Sequence, residues 1–215
     1  MKIILPINIY MTRMLLLISA IYAPILHSAE SKILVSYFSV PEDVALNGVD
    51  AATGASLLLK DGMLVGSNQY VAQLIQQQTG ADIYRIEATF EYPNTHDPLL
   101  EFAQQEKRTN TRPAIKSAIP NFAQYDTIYV GYPIWWYQMP MIMYSFFEQN
   151  DFSGKTIIPF TVHGGSRFSG SIKQIQNLQP NATVITTGLA ISRNNIAEKQ
   201  IPDQVAEWVK TVTQP

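Results

Sequence analysis

The 215-residue sequence contains no cysteine. This absence excludes disulfide bridges, thiol catalysis, thiolate metal ligands and lipid-modified cysteines. Histidine is also scarce, because only His27, His96 and His163 occur and they are far apart in the chain. Such positions lack the short spacing of a metal-binding motif, so we expect no metal site.

An excess of positive charge is missing as well. The chain has 15 Lys and Arg against 17 Asp and Glu, a net charge of −2, and no basic stripe interleaved with aromatic residues. We therefore expect no nucleic acid as a partner. Hydrophobic residues make up 47% of the sequence, which is enough apolar material for one sizeable core.

The N-terminal segment has the pattern of a secretory signal. Residues 11–13 supply a charged start, residues 14–26 a short apolar run, and residues 27–29 a polar end that closes on a small residue. A membrane anchor is the alternative, but the run is short for a bilayer span and Pro24 interrupts it. We predict a signal peptide over residues 1–29, a periplasmic or secreted location, and no stable membrane insertion once the signal is removed.

The remaining chain, residues 30–215, alternates strand-like with helix-like segments. Continuous β-favouring runs, typical of buried parallel strands, occupy residues 33–38, 81–86, 125–131, 156–162 and 183–190. Helical patterns mark a helix capped by Ser67 and ended by Gly80, then residues 99–109, 139–147 and 172–178, and a last helix with Pro202 in its first turn. This alternation predicts a single α/β domain: a doubly wound, five-stranded parallel sheet with helices on both faces.

A segment between the first strand and the first helix does not fit this alternation. Residues 40–65 contain turn-forming residues and end in an Asp61-Gly62 pair flanked by apolar triplets. We interpret the segment as an insertion that ends in a small β-hairpin.

The loop after the third predicted strand, residues 132–140, has four aromatic rings, those of Tyr132, Trp135, Trp136 and Tyr137. It follows a strand's carboxyl end, where open α/β sheets bind ligands. The tryptophans could merely cover the sheet edge. However, neighbouring side chains of an extended segment point in opposite directions, so we do not expect both to be buried. We interpret the loop as a stacking platform for a flat, conjugated ligand.

The loop after the fourth predicted strand, residues 163–171, is rich in glycine. Its glycines let backbone N–H groups approach the edge of a planar ligand closely. His163 is either a hydrogen-bonding contact of the ligand or a polar strand-end residue bonded to a carbonyl. We expect Arg167 to be solvated.

A third group of polar residues lies where the first strand ends and the first helix begins. Ser39, Gly66, Ser67 and Asn68 bring hydroxyls, an amide and helix N–H groups that suit a phosphate monoester. An ordinary helix cap formed by Ser67 is the alternative.

In their order and spacing, these segments resemble the flavodoxin-like family of FMN-binding proteins, in its longer-loop secreted subgroup. The resemblance covers nearly everything after Ser31. It is carried by residues 37–39, 66–72, 92–93, 112–113, 131–136, 151–160 and 163–166. At the phosphate loop, the usual Gly-Asn-Thr of the family is replaced by Gly66-Ser67-Asn68.

The resemblance implies that FMN is the cofactor and assigns roles to particular residues. Its phosphate would be bound by Ser39, Gly66, Ser67 and Asn68. Its isoalloxazine ring would lie between the aromatic loop and the loop of residues 163–166. The roles near the ring are stacking by Trp135 or Trp136, shaping of the approach by Pro133 and Ile134, and contact with the pyrimidine edge by His163, Gly164, Gly165 and Ser166. Tyr137 replaces a frequent glycine and is expected to place a bulky ring beside the flavin.

Because flavin chemistry belongs to the cofactor, we expect no catalytic side chain. The leading hypothesis is an exported FMN protein that transfers electrons to a redox partner protein or reduces a small acceptor such as a quinone. One alternative is an NAD(P)H-dependent quinone reductase, which would require an open ring face and is usually a homodimer. The other is a flavin-free module that binds a different planar ligand or a protein.

Overall fold

The computed structural model describes residues 32–40, 57–60 and 63–213. The predicted signal peptide and, within the predicted insertion, residues 41–56 and the Asp61-Gly62 pair lie outside the described residues. The strands are β1 (Ile33–Tyr37), β2 (Leu57–Lys60), β3 (Met63–Gly66), β4 (Asp82–Arg85), β5 (Thr127–Gly131), β6 (Thr156–His163), β7 (Thr183–Val184) and β8 (Leu189–Ser192). The helices are α1 (Ser67–Thr79), α2 (His96–Thr109), α3 (Met141–Gln149), α4 (Ser171–Leu178) and α5 (Ile201–Thr213).

The main sheet is parallel throughout, as predicted. Its order is β4-β1-β5-β6, and both β7 and β8 pair with the far side of β6. The predicted hairpin is also confirmed, since β2 and β3 pair antiparallel in a separate two-stranded sheet. Its second strand ends at Gly66, and α1 begins at the next residue.

Helices cover both faces of the main sheet. Successive residues of β1 point to opposite sides: Leu34 joins the apolar cluster that includes residues of α2, α3 and α4, whereas Val35 joins the cluster of α1 and α5. Both side chains are almost fully buried, which stabilises the fold by roughly 1.5–3 kcal/mol for each. Because β1, β5 and β6 are parallel, the loops that follow them leave the sheet at the same edge, its carboxyl edge.

The prediction of one continuous last strand over residues 183–190 is wrong. The register pairs Ile157 with Val184 and Phe160 with Leu189, so the outer chain is two residues longer than the stretch of β6 beside it. Pro159 lies in this stretch and cannot donate a backbone hydrogen bond. Gly188 passes so close that an added Cβ would lie 2.5 Å from the Pro159 carbonyl oxygen. The strand is therefore split into β7 and β8.

Two predicted helix starts also need correction. The N-cap of α1 is Gly66, whose N–H donates to the side chain of Gln69 at 2.9 Å, so Ser67 is the first helical residue and not the cap. The third helix begins at Met141 rather than at Met139, because Pro140 disfavours a helical conformation in the residue before it. Among the described residues, no helix is long and apolar enough to cross a membrane.

Candidate functional site at the carboxyl edge of the sheet

Trp135, in the aromatic loop of residues 132–140, lies in the core. Its side chain is 8% exposed, and its ring centroid lies 5.5 Å from those of Phe38 and Tyr92 in edge-to-face geometry. Each such ring pair adds roughly 0.5–1.5 kcal/mol beyond the burial of apolar area. The Trp135 ring thus joins the loop to Phe38, which follows β1.

Trp136 is half-buried and packs toward α2. Its indole Nε1–H donates to the carbonyl oxygen of Leu100 at 2.8 Å, and its own carbonyl oxygen accepts from Lys107 Nζ at 2.8 Å. The prediction that one tryptophan stacks on a flavin stays a prediction. The burial of Trp135 and the anchoring of Trp136 to α2 argue against it.

Tyr137 is the most exposed ring of this loop, at 75%. It lies in a tight turn closed by two backbone hydrogen bonds between Trp135 and Gln138, of 2.9 and 3.2 Å. Both central residues are left-handed, with φ of 51° at Trp136 and 63° at Tyr137. Turns of this kind favour Asn and Gly, so two bulky residues here store backbone strain next to the site.

The glycine loop, residues 163–171, follows β6 and is largely exposed from Gly164 to Arg167. His163 is buried, and its Nδ1 accepts the N–H of Gly165 at 2.9 Å. The hydrogen-bond partner of His163 is thus an N–H group and not a carbonyl. Burial, and then the charge of Arg167, lower the pKa of His163, which favours the neutral imidazole. Because Nδ1 accepts a hydrogen bond, the proton of the neutral form lies on Nε2. Because the N–H of Gly165 already donates to His163, the N–H of Gly164 is the better candidate to donate to a ligand.

The residues expected to hold a phosphate lie at two places: Ser39 follows β1, and Gly66, Ser67 and Asn68 lie at the junction of β3 and α1. Ser39, Ser67 and Asn68 are all buried. Asn68 Oδ1 accepts the N–H of Val162 in β6 at 3.0 Å. Within the described residues, Ser67 Oγ and Asn68 Nδ2 have no partner.

Buried polar atoms without a partner are costly, and these two lie at the positive end of a 13-residue helix. An anionic group with several oxygens would satisfy both of them. The residues present therefore fit a phosphate monoester at this position.

A cavity of about 930 Å³ lies beside the ends of β1 and β4. It is lined by Phe38, Ser39, residues 85–94 and Lys116, and Lys116 pairs with Glu87 at 3.6 Å. Neither the aromatic loop nor the glycine loop contributes to it. Sequence reasoning did not foresee this cavity, because its walls come from the irregular segment that follows β4.

A buried acid lies behind the aromatic loop. Glu106 of α2 is 5% exposed, and Tyr92 Oη donates to both of its carboxylate oxygens, at 3.3 and 3.4 Å. Burial raises the pKa of Glu106 to about 7, although the hydrogen bond from Tyr92 opposes this shift.

In the described part of the chain, no group of three or more His, Cys, Asp or Glu residues could hold a metal ion.

A family model described as flavodoxin matches residues 62–212. The chain belongs to the flavodoxin family. This match covers α1 and every later element of the main sheet, so the resemblance carried by the sequence motifs is confirmed. No curated protein matches this flavodoxin significantly.

Solved structures share the fold of this flavodoxin. A putative flavoprotein from Bacteroides eggerthii DSM 20697 is 25% identical, with a TM-score of 0.60, over 86% of this chain and 100% of that one. A second, from Bacteroides uniformis ATCC 8492, is 28% identical, with a TM-score of 0.62, over 84% of this chain and 98% of that one. A flavoprotein from Lactobacillus acidophilus NCFM, described as a complex with FMN, is 14% identical, with a TM-score of 0.55, over 78% and 97% of the two chains.

Sequence reasoning left one residue out of the site of this flavodoxin. Arg193 directly follows β8, and its guanidinium Cζ lies 3.6 Å from the point that a Cβ on Gly164 would occupy. Its backbone N–H donates to the carbonyl oxygen of His163 at 2.9 Å. The signal was its position after the last strand, whose carboxyl end adjoins the glycine loop.

Proposed function

We propose that this flavodoxin is an exported FMN protein that passes electrons to a redox partner protein or reduces a small acceptor such as a quinone. FMN is the cofactor expected of the family, and the structurally similar Lactobacillus acidophilus protein is described as a complex with FMN. When bound, FMN supplies the capacity to take up and release one or two electrons.

The observation that carries the proposal is the pair of unpartnered, buried polar atoms on Ser67 and Asn68 at the start of α1. They match the phosphate of FMN. The exposed glycine loop follows β6, and the loop that carries the exposed ring of Tyr137 follows β5. Both loops therefore lie at the carboxyl edge of the sheet, where a flat ring system can bind.

Export is supported by the signal-like pattern of residues 11–29. The chain also has no twin-arginine pair, so it would cross the membrane unfolded and bind FMN afterwards. N-terminal sequencing of the protein recovered from the periplasm or the medium tests this point. A start near residue 30 supports export, whereas an intact N-terminus in the cytoplasm contradicts it.

An absorbance spectrum tests FMN binding directly. The mature protein, residues 30–215, should show flavin bands as purified or after addition of FMN and removal of the excess. A colourless protein that ignores FMN contradicts the proposal and favours the flavin-free module. Steady oxidation of NAD(P)H by the loaded protein in the presence of a quinone would identify the acceptor class and favour the quinone reductase.

A further inference from the structure

Helix α2 holds Trp136 of the aromatic loop at two points. The indole Nε1–H of Trp136 donates to the carbonyl oxygen of Leu100, and the carbonyl oxygen of Trp136 accepts from Lys107 Nζ, each at 2.8 Å. Leu100 and Lys107 lie two helical turns apart on α2. The side chain and the backbone of one loop residue are thus bonded to the same helix.

A third connection to α2 reaches the neighbouring tryptophan. Glu106, the residue before Lys107, accepts hydrogen bonds from Tyr92, whose ring packs edge-to-face against that of Trp135. This connection lies in the core, whereas the side chain of Lys107 is exposed. Of these connections, the bond from Lys107 can therefore be removed without opening a cavity.

The bond from Lys107 is made to the peptide group at the centre of the strained turn. The carbonyl of Trp136 belongs to the peptide that joins Trp136 to Tyr137, and these are the two left-handed residues, with φ of 51° and 63°. Bulky residues disfavour this conformation, and such conformations persist only where the surroundings hold them. An ammonium group gives a charge-assisted hydrogen bond, which fixes the orientation of this peptide more firmly than a neutral donor would.

We propose that Lys107 is a positioning residue that keeps the turn at Trp136 and Tyr137 left-handed and thereby presents the ring of Tyr137 at the carboxyl edge of the sheet. Its effect on a ligand is indirect, through the backbone of the turn. The part of the inference that concerns flavin rests on the proposed function, in which the isoalloxazine ring lies beside this loop. The part that concerns the turn can be tested without a ligand.

A double-mutant cycle in the mature protein tests the link between Lys107 and the strain. K107M keeps most of the aliphatic stem but removes the donor. It should raise the equilibrium constant for urea unfolding about fivefold, since the bond is charge-assisted but exposed. In the Y137G background the same change should have an effect of about twofold or less, because glycine adopts the left-handed conformation without help. Equal effects of K107M in both backgrounds would overturn the inference.

Two control variants separate the hydrogen bond from the charge of the helix end. R108M removes a positive charge from the same last turn of α2, where Arg108 hydrogen bonds to Gln105. Its effect should be the same with and without Y137G, because helix-end charge does not depend on the turn. K107R keeps a cationic donor and should restore most of the stability lost in K107M. A coupling as large for R108M as for K107M would contradict a role of the Trp136 bond.

Amide hydrogen exchange, followed by NMR, observes the turn itself. The N–H groups of Trp135 and Gln138 close the turn through their mutual hydrogen bonds. In K107M they should exchange about tenfold faster, whereas the amides of β5 keep their protection, because the opening is local. The Cα chemical shifts of Trp136 and Tyr137 should also move away from left-handed values. K107R and R108M should resemble the wild type, and unchanged exchange in K107M would contradict the proposal.

Titration with FMN and with riboflavin tests the consequence for a ligand. K107M should weaken both about threefold to tenfold and to the same degree, because the aromatic loop is expected beside the ring and not the phosphate. If the wild type binds no FMN, the proposed function fails, while exchange and unfolding still decide whether Lys107 holds the turn. If the turn loosens in K107M but both affinities stay unchanged, the presentation of Tyr137 to flavin is overturned. K107A provides a second variant without the donor should K107M not fold.

Discussion

The side chain of Asn68, in the first turn of α1, accepts a hydrogen bond from the backbone N–H of Val162 in β6 at 3.0 Å. This bond fixes the amide plane and leaves Nδ2 without a partner. One side chain therefore joins the helix to the sheet through one atom and keeps a donor for a ligand on the other.

Substitution of Asn68 should separate these two roles. N68D keeps an oxygen acceptor for Val162 but replaces the free donor with a negatively charged oxygen. We expect an FMN affinity at least about tenfold lower, with riboflavin binding nearly unchanged, because only FMN carries a phosphate. N68A leaves the Val162 N–H unpaired and should also destabilise the fold by about 1–3 kcal/mol. Calorimetric titration and urea unfolding measure the two effects, and equal losses of FMN and riboflavin contradict the phosphate placement.

The two tryptophans should respond differently to truncation. W135A removes a buried ring and is expected to cost about 3–5 kcal/mol of unfolding free energy. W136A removes a half-buried ring and one hydrogen bond and should cost markedly less. Urea unfolding gives both values. If W135A is as stable as the wild type yet loses FMN, Trp135 faces the cofactor after all.

Substitution of Tyr137 tests both the strain and the ring. Y137G relieves a left-handed conformation that costs a non-glycine residue roughly 1–2 kcal/mol. The greater freedom of glycine in the unfolded chain offsets part of this, so a net gain of about 0.5–1 kcal/mol is expected. Y137F retains the ring and serves as the matched control. If the ring covers the flavin, FMN affinity falls and flavin fluorescence rises in Y137G but not in Y137F.

The buried carboxyl of Glu106 should make stability depend on pH. Its pKa in the folded protein is raised from 4.5 to about 7, so the folded state holds a proton that the unfolded chain releases between these values. Stability therefore falls as pH rises from about 4.5 to about 7, and the full cost applies above that range. E106Q removes the charge. The free energy of unfolding of E106Q minus that of the wild type should therefore be larger at pH 8 than at pH 4, by roughly 2–3 kcal/mol.

The exposed Glu101 on the same helix supplies the matched control. E101Q should show no comparable change between the two pH values in urea unfolding. A wild-type profile as flat as that of E106Q would falsify the assignment of a raised pKa to Glu106.

The sequence predicted the alternation of strands and helices because that pattern is local. Gly80 ends α1 in the left-handed conformation, with φ 68°, as its type and position indicated. The split of the last strand was not readable in the same way, because its cause is Pro159 on the neighbouring strand, more than twenty residues earlier.

The sequence indicated which loops form the site, but not which residues contact one another there. Trp135 is buried by Phe38 and Tyr92, which come from distant parts of the chain, so no local pattern revealed its burial. Arg193 follows a strand whose carboxyl end adjoins the glycine loop, and only the strand order brings it to Gly164.

The junction at Gly66 has a thermodynamic consequence. The β2–β3 hairpin ends at Gly66, and the next two residues are those expected to hold the phosphate. A molecule that binds the hairpin with a preference for one arrangement of this junction would change the affinity for FMN, and FMN would change the affinity for that molecule by the same factor. Any such coupling would pass from the β2–β3 hairpin to α1 through the single peptide bond between Gly66 and Ser67.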